Sequence, residues 1–127
     1  MVYGKALGVA TCTYNSALSK NQRFTIGRSR VYKNAKATAA ENTLFHELRL
    51  LKKTKWYQNK IYMDVVVFKP RVDVDAVNFV DAIADVLKRV ILVDDRYFSI
   101  KSWDWHLDRI DPRIIVKVYQ PARRNAK

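Results

Sequence analysis

Between Lys60 and Val90 the hydrophobic period of the chain changes once, and that change limits the fold more than any other feature. The run "KIYMDVVVFKP" (60–70) is dense in β-branched and aromatic residues and stops at a proline, the pattern of a strand. From Val77 to Val90 the apolar residues Phe79, Val80, Ile83, Val86, Leu87 and Val90 fall on one helical stripe. Asn78, Asp81, Asp85 and Lys88 fall on the opposite face. A strand that leads so directly into an amphipathic helix must bury that helix against the sheet the strand belongs to.

The rest of the chain supplies partners for this unit. Alternation over Ala6–Tyr14 predicts a first strand, and "NSALSKNQRFTIGRSRVYKN" reads as a polar, basic loop with a short hairpin around "IGRS". Ala37, Leu44, Leu48 and Leu51, with Ala40 beside them, predict a helix from about Ala35 to Lys53, with Asn34 as its N-cap. Arg71–Asp75 is expected to be a short strand or strand end. "RYFSIKSWDW" and "PRIIVKVYQP" are the last two strands. The expected fold is therefore α/β (α+β): a small mixed sheet with two helices packed on it, in one domain of residues 1–127. The basic tail 122–127 is expected to be frayed.

Charge is distributed unevenly over this plan. The chain carries 24 Lys and Arg against 12 Asp and Glu, a net charge of +12. Such an excess favours a polyanionic partner, nucleic acid first. Residues 1–60 hold twelve bases and only two acids, whereas residues 73–95 hold six aspartates, Asp73, Asp75, Asp81, Asp85, Asp94 and Asp95. No run of 18 apolar residues suggests a membrane span, the N-terminus makes a poor signal peptide, and the lone Cys12 can form no internal disulfide. An intracellular, cytoplasmic protein is expected on these grounds.

If 71–75 is extended, Asp73 and Asp75 share a face. Asp81 and Asp85 are four apart on the helix and share another, where like charges cost about 0.2–0.5 kcal/mol. Helix-end stabilisation accounts for Asp75 or Asp81 singly but not for Asp94 and Asp95, which follow the helix. For Asp94 and Asp95 to meet Asp73 and Asp75, the chain must double back or the two groups must meet across a dimer. A cation among them would relieve their repulsion. Carboxylate oxygens without nearby Cys or His suit Mg²⁺ or Mn²⁺ rather than zinc.

The segment "DAVNFVDAIADVLKRVILVDD" resembles the RusA family of Holliday junction resolvases. That family's pattern is Asp-x-Asp-Asn, a Lys three residues on, a helix with an Asp, and an apolar run closing in Asp-Asp. In gapless register Asp75 takes the first Asp, Asn78 the Asn, Asp85 the helix Asp, and Asp94 and Asp95 the closing pair. "LSKNQRF", "GRSRVYKNAKATAAENTL", "NKIYMDVVVFKP" and "RIIVKVYQP" are similar to the family's flanking loop, first helix and strands. The chain departs at Val77, where the family has its second Asp, and at Asp81, where it has Lys. Asp73 keeps the two-residue spacing with Asp75 and supplies a carboxylate from the other side. A second alignment pairs Asp73 and Asp75 with the two family aspartates and inserts two residues before Asn78.

The resemblance implies a homodimeric, Mg²⁺- or Mn²⁺-dependent endodeoxyribonuclease that resolves four-way DNA junctions by paired nicks in recombination and repair. A phage or prophage origin in a bacterial host fits it. Asp73, Asp75, Asp94 and Asp95 are the expected metal ligands and Asp73, Asp75, Asp81 and Asp95 the expected catalytic carboxylates, with Asn78 and Asp85 in support. Lys20, Arg23, Arg28, Arg30, Lys33 and Lys36 are expected to hold phosphates. The alternatives are a nuclease of other branched DNA, such as flaps or forks, and a catalytically inactive junction-binding protein. Trp56 and Tyr57 are expected mainly to pack, and Trp103 and Trp105 to share a sheet face. His46 and His106 lack ligand partners.

Overall fold

The structure is a computed structural model that describes residues 3–19, 24–26, 31–33, 35–53 and 55–121; for 3–7, 24–26, 31–33 and Lys53 it describes the backbone alone. Its strands are β1 (Tyr3–Thr13), β2 (Phe24–Ile26), β3 (Val31–Lys33), β4 (Ile61–Lys69), β5 (Phe98–Leu107) and β6 (Arg113–Pro121). Its helices are α1 (Ala35–Leu48) and α2 (Val80–Ile91). Strands β1, β6, β4 and β5 form one mixed sheet in that order, with β4 and β5 parallel and the other pairs antiparallel. The chain is thus α+β, a four-stranded sheet with two helices, as its hydrophobic periods require.

The parallel pair follows from the strand–helix switch. An antiparallel pair can be joined by a tight turn, but parallel neighbours need a crossover, and α2 supplies it between β4 and β5. Ile61, Met63, Val65 and Val67 of β4 are buried, and so are Ala82, Ile83, Val86, Leu87, Val90 and Ile91 of α2. Ala37, Ala40, Leu44 and Leu48 of α1, with Leu51 in the 3₁₀ turn that follows, complete the same core. Helix α1 therefore stops earlier than its apolar pattern suggests. Leu51 is buried from the tighter turn Arg49–Lys53.

Two local features escape the sequence pattern. Arg71–Asp75 is a turn, not a strand end, so strand alternation does not place Asp73 and Asp75. The β4–β5 register also slips by one residue. Met63 faces Ile100 and Asp64 faces Ser102, which leaves Lys101 as a bulge. The slip puts Phe98 and Ile100 on the same sheet side as Trp103, Trp105 and Leu107, the side that also carries their register partners Ile61, Met63, Val65, Val67 and Lys69. The expected hairpin is present as the antiparallel pair β2–β3; its residues 27–30, and Asn34, lie outside the described residues. No helix among the described residues is long and apolar enough to cross a membrane.

Helix α2 ends on Leu92, whose backbone is left-handed at φ 60° while its N–H bonds the carbonyl of Lys88. Glycine is the usual residue here because a Cβ is penalised in this conformation. Leu92 is 69% exposed, so its side chain contributes little burial in return. Leu92→Gly is accordingly expected to raise the unfolding free energy by up to about 1 kcal/mol in urea denaturation; a decrease would contradict the strain at this cap.

Candidate metal and nucleic-acid site

The turn between β4 and α2 opens a cleft of about 210 Å³. Asp73, Asp75 and Asn78 line it from the turn and the 3₁₀ segment Ala76–Phe79. Tyr14, Ser16 and Ser19 line it from the end of β1 and the turn after it, and Arg71 lines it from the start of the β4–α2 turn. Two predicted carboxylates and the predicted amide thus share one cavity, although the backbone that brings them there is not extended. Asn15 shapes the facing wall, its Oδ1 accepting from the N–H of Ala17 at 2.9 Å.

The two aspartates are in different electrostatic states. Asp73 lies 3.3 Å from Arg71 Nε, with both side chains largely exposed. Asp75 occupies the N-cap position of the 3₁₀ segment, but its carboxylate makes no cap hydrogen bond; only its main-chain carbonyl is engaged, by Asn78 N–H at 3.1 Å. Helix capping therefore does not account for this carboxylate. The Tyr14 hydroxyl is raised above its ordinary range by burial, with Arg71 lowering it and Asp73 raising it further.

The remaining carboxylates lie elsewhere in the subunit. Asp81 is exposed in the first turn of α2 and does not line the cleft. Asp85 is half-buried one turn on. Asp94 and Asp95 follow the far end of α2, whose twelve residues rise by about 18 Å. Asp94 caps the turn Asp95–Tyr97, accepting from Arg96 N–H at 3.0 Å, and Asp95 lies 3.8 Å from Lys88 Nζ. Among the described residues no three Asp, Glu, His or Cys side chains form a metal-ligating group. The six aspartates divide between the two ends of α2 and the helix itself, where Asp81 is exposed and Asp85 half-buried.

The donor set in the cleft nevertheless suits a hard cation. Mg²⁺ keeps several waters and is commonly held by one or two carboxylates, which Asp73 and Asp75 provide. A second cleft, at Thr11–Thr13, offers less. Its Glu47 already accepts from the Thr13 N–H at 3.0 Å and hydroxyl at 2.7 Å. Cys12 beside it is buried and its thiol is pushed up to about 12, first by burial and then by Glu47, so it is no nucleophile at neutral pH.

Of the expected phosphate contacts, Lys36 is exposed at the start of α1. Lys20, Arg23, Arg28 and Arg30 lie outside the described residues, and Lys33 is described by its backbone in β3. Trp56 and Tyr57 pack rather than present themselves, donating to the carbonyls of Leu51 and Pro121. Tyr14, Ser16, Ser19 and Arg71 escaped the sequence reading. The one signal that pointed toward them was the Ser- and Asn-bearing loop after the first strand. No family model matches the chain, and no curated protein does.

Asp94 allows a direct check on the turn that follows α2. The Arg96 N–H holds its carboxyl below the usual carboxylate range. A lowered folded value means that its contribution to stability is complete above the unfolded pKa of about 3.9 and is lost as the pH falls through the folded value. An NMR titration should place the Asp94 midpoint below that of an unstructured aspartate. A midpoint at or above the unstructured value would contradict the cap.

Proposed function

We propose that the chain is a divalent-metal-dependent endonuclease of branched DNA, with the four-way junction as its preferred substrate. The observation that carries this reading is the shared cleft. Asp73 and Asp75 line it with Asn78, and the Asp75 carboxylate is not used as a helix cap. A net charge of +12 around such a spot favours a phosphodiester substrate. The resemblance to RusA-type resolvases rests on the same residues together with Asp85, Asp94 and Asp95.

In this reading Asp73 and Asp75 would hold the ion, Mg²⁺ or Mn²⁺, which would supply an activated water and neutralise charge on the leaving oxygen. Arg71, Ser16 and Ser19 face the same cavity and would orient the scissile phosphate. Asn78 would fix the carboxylate of Asp75.

The division of the carboxylates supports a homodimer. Among the described residues strand β5 pairs only with β4 and forms the edge of the sheet. Ile100, Trp105 and Leu107 on its helix side are 42–49% exposed. Lys69, where the Asp73–Asp75 turn begins, pairs with Leu107, and Asp95 stands just before Phe98 at the opposite end of β5. Antiparallel pairing of two β5 edges would set the Asp73–Asp75 turn of one copy beside Asp94 and Asp95 of the second. Two composite sites related by a two-fold axis match paired nicking of a junction with the same symmetry.

Val77 and Asp81 favour one competing reading. Val77 is 56% exposed and Asp81 stands outside the cleft, so neither restores the family's second Asp or its Lys, and a junction binder without cleavage results. Labelled four-way, flap and fork DNA, incubated with Mg²⁺ or Mn²⁺, separate these readings. The expected result is symmetric nicking of the four-way junction, reduced about 100-fold or more in Asp75→Asn. Co-refolding Asp75→Asn with Asp95→Asn chains should recover cleavage, since each heterodimer keeps one unaltered composite site. Tight binding without nicking in either metal would favour the binder, and a flap preference the other nuclease.

A further inference from the structure

We propose that Lys69 is the positioning residue of this cleft, an internal cation that sets the turn carrying Asp73 and Asp75; the proposal rests on the metal-dependent reading above. Lys69 ends β4 and is 4% exposed. A charged side chain leaves water only where fixed partners replace the solvent. Its Nζ donates to the carbonyl of Val72 at 3.1 Å and of Val74 at 2.7 Å, and stands 3.7 Å from the ring centroid of Trp105. Its own carbonyl accepts from Asp108 N–H at 2.9 Å. One residue thus joins the end of β4, the turn and the end of β5.

The bonded carbonyls belong to the peptide units that lead into Asp73 and Asp75. Drawing both to one ammonium fixes the planes from which the two carboxylates depart. Little else in the turn can do so. Arg71, Val72, Asp73 and Asp75 are exposed, and among the described residues the turn's further contacts are Val74 N–H to the Arg71 carbonyl at 3.3 Å, Asn78 N–H to the Asp75 carbonyl at 3.1 Å and the solvent-exposed Arg71–Asp73 pair. An apolar side chain would fill the same space without a desolvation cost but would bond neither carbonyl. Trp105 covers the ammonium with a π face, which attracts the cation and excludes water from it.

The test uses the full chain, Mn²⁺ alone as the probe, and Lys69→Met, with Lys69→Arg as the conservative rescue. Lys69→Met should weaken Mn²⁺ binding by calorimetry about tenfold, the effect of losing a group that orients a ligand. Amide exchange at Val74 should quicken. Cleavage should return toward the wild-type rate at saturating Mn²⁺, a split that simple destabilisation would not give. Lys69→Arg should recover much of the affinity. Should Lys69→Met fail to fold, Lys69→Gln, whose amide can donate to one of the two carbonyls, should weaken Mn²⁺ binding in the same direction. Unchanged Mn²⁺ affinity in the folded Lys69→Met, or in Lys69→Gln where it stands in, overturns the proposal. If the wild-type chain binds no Mn²⁺, the metal reading falls, and the positioning role falls with it.

Discussion

The structure depends on how β4 is buried. It lies between β6 and β5 in the sheet, and α2 packs over the core to which its inward side chains belong. Because β4 and β5 are parallel, the chain must leave β4 at one end of the sheet and re-enter β5 at the other, with α2 spanning the distance. That constraint places the acidic residues. Asp73 and Asp75 belong to the exit from β4, and Asp94 and Asp95 to the approach to β5. The cleft lies at the carboxyl end of β4.

Like charges so divided are easier to bear than a single cluster would be. Asp73 has Arg71, Asp94 has the Arg96 N–H, and Asp95 has Lys88. Asp75 alone of these four has no cap or ion pair of this kind in the described residues. In the proposed dimer the two groups come together where a cation can offset their repulsion. The same joining would cover the apolar edge of Ile100, Trp105 and Leu107, and a long free edge is otherwise a liability to a soluble sheet.

Much of this was legible in the residues. The β-branched density of 61–69 and the stripe from Phe79 to Val90 marked the central strand and its crossover helix, because burial imposes period on both. The turn at 71–75 was not legible. "RVDVD" alternates as a strand does, yet Lys69, drawn inward by the carbonyls of Val72 and Val74, holds it as a turn. The bulge at Lys101 was hidden for a similar reason, since a one-residue slip changes facing without changing composition. Asp73 and Asp75 meet in one cavity through that turn. In the proposed dimer the relation of Asp94 and Asp95 to them would depend on a second chain, which no local pattern encodes.

The central claim is that Asp73 and Asp75 form half of a cation site whose other half comes from a second copy. A crystal of the chain soaked in Mn²⁺ and read by anomalous scattering tests it most directly. The expected result is an ion in the cleft about 2.1 Å from a carboxylate oxygen of Asp75, with Asp95 of a two-fold-related chain facing the same ion. Clefts that take up no Mn²⁺, or an ion bound while the Asp94–Asp95 turn of every neighbouring chain lies far from it, would contradict it.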